Sequence, residues 1–352
     1  MSNRPWVVLV GGFLGAGKTT LLLAAARELQ RRGQRSALIL NDQGHALVDT
    51  EYATLKGLPR AEVTGGCFCC RFSELVQQIE HLRQHAPDVI FAEPVGSCTD
   101  ISATTLNPLL LEYGQHCRIA PYTVLVDPRR AKSLMREDAD PNLAFLFRKQ
   151  IEEADLICFT KSDVSPEVPP IEAGTVRQVS AKLGYGIVPW LDEVLSGSIS
   201  SGCQILDIDY EQYAKAEAAL AWLNARAKIH CRRPSSPAVV LGPLLERLDA
   251  ASAASRVAIV HLKAIVQTTT GYVKAAICAN GHQPVVEGVL DASPALNHEL
   301  LLNLRAVGPA EQVQQIVERE LASVEGALED VRISCFHPAA PQPERRVARG
   351  QH

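Results

Sequence analysis

Short apolar runs alternate with longer stretches of helical spacing through the first two hundred residues. The apolar runs are Trp6–Val10, Ser36–Leu40, Val89–Ala92, Thr123–Val126, Leu156–Phe159 and Val176–Val179. Helical spacing lies between most of them, as over Leu21–Gln30, Ser73–His85 and Pro141–Glu153. This order predicts an α/β fold with a doubly wound, mostly parallel sheet, and functional groups at the carboxyl ends of its strands.

The second half of the chain has a different rhythm. An Ala-rich stretch, Tyr213–Ile229, is predicted to be a helix, and Arg232–Pro237 is predicted to be a hinge. Beyond it the pattern predicts helices near Leu241–Ala254 and Pro309–Val324, with strands near Val257–Gln267, Gly271–Ala279, Pro284–Leu290 and Leu300–Ala306. Hairpin-linked strands between two helices predict a smaller C-terminal α+β domain with an antiparallel sheet.

These patterns divide the chain into four parts. We expect a nucleotide-binding domain over 1–200, a helix and linker over 201–236, an α+β domain over 237–335 and a disordered tail over 336–352. The tail is expected to be disordered because it is rich in proline and arginine and poor in apolar residues.

Composition narrows the class of protein. A hydrophobic content of 47% and a charged content of 21% are typical of a soluble globular protein. The net charge of −4 gives no electrostatic reason to expect nucleic acid as a partner, and no apolar run is long enough to predict a membrane partner. Ten cysteines without a secretory signal predict reduced thiols in the cytoplasm, where clustered cysteines bind metal more often than they pair.

A phosphate-binding loop is the strongest motif in the chain. Residues 12–19 match G-x-x-x-x-G-K-[ST], directly after an apolar strand and directly before a helix. Glycines let backbone N–H groups approach a polyphosphate, Lys18 would reach the terminal phosphates, and the Thr19 hydroxyl would bind Mg²⁺. The predicted phosphate contacts are Gly12, Gly15, Ala16, Gly17, Lys18, Thr19 and Thr20. The sequence therefore predicts a P-loop domain that binds a nucleoside triphosphate.

Two later loops predict that the nucleotide is GTP. Thr160-Lys161-Ser162-Asp163 follows a predicted strand, where Asp163 can accept hydrogen bonds from guanine N1–H and its exocyclic amine. The motif resembles the N-K-x-D sequence of GTPases, with Thr160 in place of Asn. Ser180, Ala181 and Lys182 follow the next strand and match the S-A-K element that contacts guanine through backbone groups.

A third group of residues is predicted to serve hydrolysis. Glu93 ends a strand and is followed three positions later by Gly96, an arrangement like a Walker B motif. Glu93 can hold Mg²⁺ through water or orient the attacking water, and Gly96 lets the backbone approach the γ-phosphate. Lys18, Glu93 and Asp42 are the predicted catalytic residues. The general base is left open between Gln43, Asp42 and Glu93, and turnover is expected to be slow without a partner.

Three cysteines within four residues form the second strong motif. Cys67, Cys69 and Cys70 follow a Gly-Gly turn and precede a predicted helix, so that their thiolates can converge on one transition-metal ion. Three sulfurs leave a coordination position open, which suits loading and release of the ion. Two alternatives are buried apolar thiols and a redox disulfide, although the adjacent Cys69 and Cys70 are poorly placed for a disulfide.

With these motifs the chain resembles the CobW-type metallochaperone group of P-loop GTPases. The motifs G-G-F-L-G-A-G-K-T-T, G-G-C-F-C-C, E-P-V-G, T-K-S-D and S-A-K follow that family's order and spacing between residues 5 and 200. The resemblance implies a GTPase whose nucleotide state controls the binding or delivery of a metal, with GTP, Mg²⁺ and Zn²⁺ or Co²⁺ as ligands. It implies as partner a client metalloprotein or a cofactor-insertion protein, and a homodimer is left open.

The chain departs from the family pattern after the second predicted strand. The family typically has N-E-F-G-E there, whereas this chain has Asn41-Asp42-Gln43-Gly44-His45. His45 is a candidate imidazole ligand for the metal, with a solvated loop histidine as the alternative. The rival function is a GTP-dependent interaction switch for a client enzyme, for example a corrinoid-related one, in which the cysteines are structural.

Overall fold

The chain forms two compact units. The computed structural model describes residues 4–44, 48–55, 57–171 and 176–348. The first unit takes in the described parts of 1–43, 52–216 and 340–352, and the second takes in those of 44–51 and 217–339. The division therefore differs from the expected one at 200 and 237, and each unit includes a segment that is remote in sequence.

The first unit contains a parallel sheet of eight strands, counted over the described residues. The strands are β1 (Trp6–Gly12), β2 (Ser36–Asp42), β3 (Arg60–Thr64), β4 (Val89–Glu93), β5 (Arg118–Ile119), β6 (Thr123–Val126), β7 (Leu156–Phe159) and β8 (Val176–Gln178). Their order is β3-β2-β4-β1-β6-β7-β8, with β5 paired to β1. The order reverses direction at β1, and ligands of such sheets bind at the carboxyl ends of strands beside that point. The predicted α/β class is confirmed.

Helices connect these strands, and α1 shows why they form. The helices are α1 (Lys18–Arg31), α2 (Val48–Leu55), α3 (Phe72–Arg83), α4 (Asn107–Tyr113), α5 (Pro128–Leu134), α6 (Pro141–Glu152), α7 (Ile187–Val194) and α8 (Tyr210–Ala218). In α1 the fully buried Leu22, Ala25 and Leu29 recur at helical spacing. Burial of a leucine side chain contributes about 1.5–3 kcal/mol to stability. Within the ranges described, no helix combines the length and apolarity needed to cross a bilayer.

The second unit is an antiparallel sheet with two helices, as the sequence predicts. Its strands are β9 (Leu220–Ser235), β10 (Ala258–Thr268), β11 (Gly271–Ile277), β12 (Val285–Gly288), β13 (Ala295–Val307) and β14 (Ala327–Phe336), and its helices are α9 (Pro237–Ala254) and α10 (Ala310–Ala322). The strand order is β12-β11-β10-β13-β9-β14. Leu244 and Leu248 of α9 and Val317 of α10 are buried against Leu302 and its neighbours on the sheet.

The prediction of one helix over Tyr213–Ile229 is wrong. Helix α8 ends at Ala218, and β9 then runs from Leu220 to Ser235 between β13 and β14. The alanines Ala225 and Ala227 are buried while Arg226 and Lys228 are exposed, an alternation with the period of a strand. Alanine favours helices in isolation, but the pairing of β9 on both of its edges outweighs that preference.

The described part of the C-terminal tail is ordered, contrary to expectation. Residues 340–348 belong to the first unit, and Val347 is 9% exposed. The Val347 N–H donates to the carbonyl oxygen of Ala103 at 2.9 Å. The composition of the tail is unfavourable for a core of its own, but its polar groups find partners on a folded surface.

Candidate functional site

The loop between β1 and α1 has a backbone that glycine adopts easily. Gly12, Gly15 and Gly17 have φ angles of 129°, 82° and 92°, in the left-handed region. A Cβ atom on Gly12 would lie 2.4 Å from the carbonyl oxygen of Leu125. Gly17 is the N-cap of α1 and provides no side-chain cap. The first N–H groups of α1 therefore face a position suited to an anionic ligand.

Three buried polar side chains meet at the start of α1. Lys18 Nζ donates to the carbonyl oxygen of Gly12 at 2.9 Å and lies 3.9 Å from Glu93 Oε1. Thr19 Oγ1 donates to Glu93 Oε2 at 2.8 Å. The structure thus brings a predicted phosphate ligand, a predicted Mg²⁺ ligand and a predicted catalytic carboxylate together. The remaining members of the loop set lie beside them: Ala16 is buried and Thr20 is half-buried in the first turn of α1.

Gly96 lies against the phosphate-binding loop. A Cβ atom at this position would be 3.0 Å from Lys18 Nζ and 2.8 Å from Leu14 Cδ2. The Gly96 carbonyl oxygen accepts a hydrogen bond from Gln150 Nε2 at 3.0 Å. A side chain at residue 96 would therefore displace the lysine, which gives a physical reason for glycine three residues after Glu93.

The loop after β7 is hydrogen-bonded to the phosphate-binding loop. Thr160 Oγ1 donates to the carbonyl oxygen of Ala16 at 2.9 Å. Lys161 Nζ donates to the carbonyl oxygen of Gly15 at 2.9 Å and to Asp127 Oδ2 at 2.7 Å. The hydroxyl of Thr160 therefore braces the two loops directly, the role for which GTPases typically use Asn at this position.

Asp163 and Ser180 join the two predicted guanine loops. Ser180 Oγ donates to Asp163 Oδ1 at 2.8 Å, and the N–H of Leu183 donates to Ser180 Oγ at 3.2 Å. Ala181 and Lys182 follow on the same turn, half-buried and exposed respectively. One oxygen of the Asp163 carboxylate is thereby oriented by the loop after β8.

Asp127 is a site residue that the sequence reading missed. It directly follows β6 and is 8% exposed. Its carboxylate accepts a hydrogen bond from Lys161 Nζ and another from the Arg129 N–H, and through the second bond it caps α5. The carboxylate fixes Lys161, which lies in the loop predicted to recognise the base. The available signal was an acid followed by proline at the end of a predicted strand, the same placement that drew attention to Glu93.

The segment after β2 is described only in part. Asp42 is the last residue of β2, Gln43 follows it, and both are half-buried. Leu40 pairs with Glu93 in register, so that Asp42 lies at the same edge of the sheet as Glu93. The candidate ligand His45 lies outside the described residues.

The three cysteines converge. Cys67 Sγ lies 2.8 Å from Cys69 Sγ and 3.3 Å from Cys70 Sγ, and Cys69 and Cys70 are 3.7 Å apart. All three are free thiols, with Cys67 and Cys69 buried and Cys70 half-buried. Three sulfurs on a tetrahedral zinc ion would stand about 3.8 Å apart, since Zn–S bonds are about 2.3 Å long. The donor set therefore fits a thiophilic cation once Cys67 Sγ and Cys69 Sγ move apart by about 1 Å.

Hydrogen bonds divide the protons unequally among the sulfurs. Hydrogen bonds from Cys69, Cys70 and Cys98 lower the pKa of Cys67 well below its usual value. The hydrogen bond with Cys67 raises the pKa of Cys69 well above its usual value and raises that of Cys70 to about 11. Of the three sulfurs, Cys67 therefore loses its proton most readily, since the pKa values of Cys69 and Cys70 are raised. Cys98 lies outside the cysteine motif, and nothing in its spacing along the sequence marks it.

The side chain of Asn41 holds the cysteine loop. Its Nδ2 donates to the carbonyl oxygens of Val63 at 2.9 Å and Gly66 at 2.7 Å. Its Oδ1 accepts from the Phe68 N–H at 2.9 Å. Both amide hydrogens and the amide oxygen are therefore used, and the residue before Asp42 is tied to both sides of Cys67.

A family model and several relatives match the chain. The model described as "CobW/HypB/UreG, nucleotide-binding domain" matches residues 6–182. The zinc chaperone YjiA of Escherichia coli (strain K12) is 28% identical over 174 residues, which cover 49% of this chain and 54% of that protein. The zinc chaperone YeiR of the same organism is 30% identical over 169 residues, covering 45% and 47%. The chain spans about half the length of the curated relatives it matches.

Solved structures match at lower identity. The crystal structure of HypB from Helicobacter pylori in complex with nickel aligns with a TM-score of 0.42 and 16% identity. The alignment covers 56% of this chain and 91% of that one.

Metal binding to the reduced protein is expected to release at least about two protons at neutral pH, because Cys69 and Cys70, whose pKa values are raised, must lose theirs to become ligands. The affinity for Zn²⁺ should therefore rise with pH, with a slope of at least about two in log K against pH below the pKa values of these thiols. Titration calorimetry in buffers of different ionisation enthalpy measures the protons released. The exposed Cys203 offers a control, since Cys203→Ser should change neither number. Binding without proton release would contradict ligation by Cys69 and Cys70.

Proposed function

Because the chain belongs to the CobW/HypB/UreG nucleotide-binding family, we propose that it is a GTPase that carries a transition-metal ion and passes it to a client metalloprotein. The names of the relatives, zinc chaperones, favour zinc over cobalt as the cargo. The observation that carries the proposal is the Asn41 carboxamide, which connects the end of β2 to the cysteine loop. A nucleotide site and a thiol cluster in one unit need such a connection if one is to control the other.

The nucleotide half of the proposal rests on the groups around α1. Lys18 and the N–H groups at the start of α1 would bind the β- and γ-phosphates, and Thr19 and Glu93 provide oxygen ligands of the kind that Mg²⁺ prefers. Mg²⁺ bound there would neutralise charge on the phosphates. Lys18 would stabilise the charge that shifts toward the leaving oxygen as water attacks the γ-phosphate. Glu93 and Asp42, at one edge of the sheet, are the candidates to orient that water.

The metal half rests on the three sulfurs. Cys67, Cys69 and Cys70 would hold the cargo ion through thiolates and leave its fourth position for a water or a client ligand. A client cysteine or histidine can enter at that position before a sulfur of this chain leaves, so that the ion never becomes free. A site closed by four protein ligands would lack this route.

Coupling between the halves would pass through the segment after β2. Asp42 and Gln43 follow Asn41 directly. Ordering of this segment by a γ-phosphate would therefore shift the Asn41 side chain and its hydrogen bonds to the cysteine loop. The next described residues, 44 and 48–51, belong to the second unit, where the Val48 N–H donates to Asn303 Oδ1 at 2.9 Å and Lys263 pairs with Asp49. Movement of this segment would therefore reach the second unit as well, which we propose as the part that docks the client.

Asp163→Asn tests the nucleotide assignment. The substitution replaces an acceptor by a donor and should lower the affinity for GTP roughly 100-fold, because hydrogen bonds to a charged group contribute about 1.5–3 kcal/mol. Affinity for xanthosine triphosphate, whose base offers an acceptor in place of the amine, should rise. Competition with a fluorescent guanine nucleotide measures both. Asp138→Asn, on an exposed loop, is the matched control. Equal affinity of the unmodified protein for ATP and GTP would contradict the assignment.

Asn41→Asp tests the coupling. The carboxylate keeps the size of the side chain and an acceptor for Phe68 but loses the donors to Val63 and Gly66. In the unmodified protein, metal affinity should differ about tenfold between GDP and a non-hydrolysable GTP analogue. The variant should bind both nucleotides and lose this difference.

Titration of the reduced, metal-free protein with Zn²⁺ and Co²⁺ in each nucleotide state measures this, and Co²⁺–thiolate absorption reports the sulfurs. Asn297→Asp, an exposed position in the second unit, is the matched control. Equal metal affinity in the two nucleotide states of the unmodified protein would contradict the coupling. Binding that survives replacement of all three cysteines by serine would contradict the metal site itself.

A further inference from the structure

The segment 340–348, here called the C-terminal strap, lies on the cysteine loop. The N–H of Gln342 donates to Cys70 Sγ at 3.2 Å. The N–H of Glu344 donates to the carbonyl oxygen of Cys69 at 2.9 Å. Of the three thiols, Cys70 is the one that is not fully buried, so the strap contacts the cluster at its exposed sulfur.

The strap is also tied to the start of α3. Glu344 Oε2 accepts from the Ser73 N–H at 2.9 Å and from Ser73 Oγ at 2.5 Å. Arg71, the N-cap of α3, provides no side-chain cap of its own. The Glu344 carboxylate therefore satisfies an N–H of the first turn and lies at the positive end of the helix dipole.

A second anchor is a buried carboxylate. Arg346 Nε donates to Asp100 Oδ2 at 2.9 Å, and the Asp100 side chain is 1% exposed. Tyr210 Oη donates to the same oxygen at 2.6 Å, and Arg346 also donates to the carbonyl oxygen of Leu206 at 3.1 Å. A buried carboxylate without a cation is costly, so Asp100 favours the docked strap strongly.

The residues between the anchors suit a stiff cover. Gln342 stands between Pro341 and Pro343, and a residue before proline is held in an extended conformation. The prolines have no N–H, which leaves the Gln342 N–H as the donor that the Pro341–Pro343 stretch presents to the sulfur. The stretch therefore directs one N–H at Cys70, and its backbone has few other favourable conformations.

We propose that the C-terminal strap is an intrachain gate of the cysteine cluster, in which the Gln342 N–H positions the Cys70 sulfur. With the strap docked, the Gln342 N–H orients the Cys70 sulfur and the backbone shields it from an incoming ligand. Exchange of the ion through Cys70 requires the strap to detach, and a client that competes for Ser73 or Asp100 would open it. The role in metal exchange rests on the proposed function, whereas the shielding of Cys70 does not.

The first test measures alkylation of Cys70 in the reduced, metal-free protein, followed by peptide mass analysis, with Cys203 as an internal reference. A chain ending at Ala339 should alkylate at Cys70 roughly tenfold faster than the full chain, with Cys203 unchanged. Gln342→Pro removes the hydrogen bond that holds the strap to Cys70, so the sulfur should be uncovered more often and alkylation should accelerate several-fold, whereas Gln342→Ala keeps the N–H and should not change the rate. Arg345→Met removes an exposed pair with Glu112 and should also match the unmodified protein.

Retained binding of a guanine nucleotide shows that each variant is folded. If the shortened chain does not fold, the comparison of Gln342→Pro with Gln342→Ala tests the proposal. An equal rate at Cys70 in Gln342→Pro and Gln342→Ala, together with an equal rate in any folded shortened chain, would overturn the proposal. The second test follows Zn²⁺ transfer to a chromophoric chelator, which should be faster in the same variants that alkylate faster. If the unmodified protein binds no Zn²⁺, the proposed function fails, while the alkylation rates still decide whether the strap covers Cys70.

Discussion

The carboxamide of Asn41 holds the loop that carries the three cysteines of the cluster. A loop that brings three sulfurs together must be held against their mutual repulsion once they ionise, and the loop itself is only a few residues long. Asn41 holds it from β2 with two donors and one acceptor, to Val63, Gly66 and Phe68. Because the residue is buried, loss of any of these bonds would leave an unsatisfied polar group. The position of Cys67 is therefore set by the nucleotide-binding sheet.

The same sheet explains why the nucleotide groups meet. β1 lies between β4 and β6, and the residues that end or follow these strands, such as Glu93 and Asp127, reach the same edge. Thr160 and Lys161, after β7, complete the arrangement through hydrogen bonds to the phosphate-binding loop. Hydrogen bonds hold each of these side chains, so that its position is set by the end of the strand from which it comes.

Local motifs could be predicted from the sequence because their chemistry is written in consecutive residues. The glycines of the phosphate loop and the thiols of the cluster are of this kind, as are the alternating elements of the α/β sheet. Contacts between distant residues could not be predicted. Cys98 reaches Cys67, and Asp127 reaches Lys161, by tertiary packing alone. The helix predicted over Tyr213–Ile229 is wrong because alanine favours helices, whereas the alternation of exposed Arg226, buried Ala227 and exposed Lys228 has the period of the strand β9.

The order of the strap is a second property that the sequence does not predict, because it depends on contacts between distant residues. Its composition predicts disorder, and the reasoning holds for a chain that must bury its own apolar groups. Its stability comes from hydrogen bonds to two polar groups of the first unit, which are the N–H at the start of α3 and the carboxylate of Asp100. An exposed pair such as Arg345 with Glu112 contributes about 0–1 kcal/mol, whereas a charge-assisted bond to a buried carboxylate contributes more. A segment held by a few polar contacts of this kind is ordered when docked and can be displaced by a competing ligand, which is the property that a gate requires.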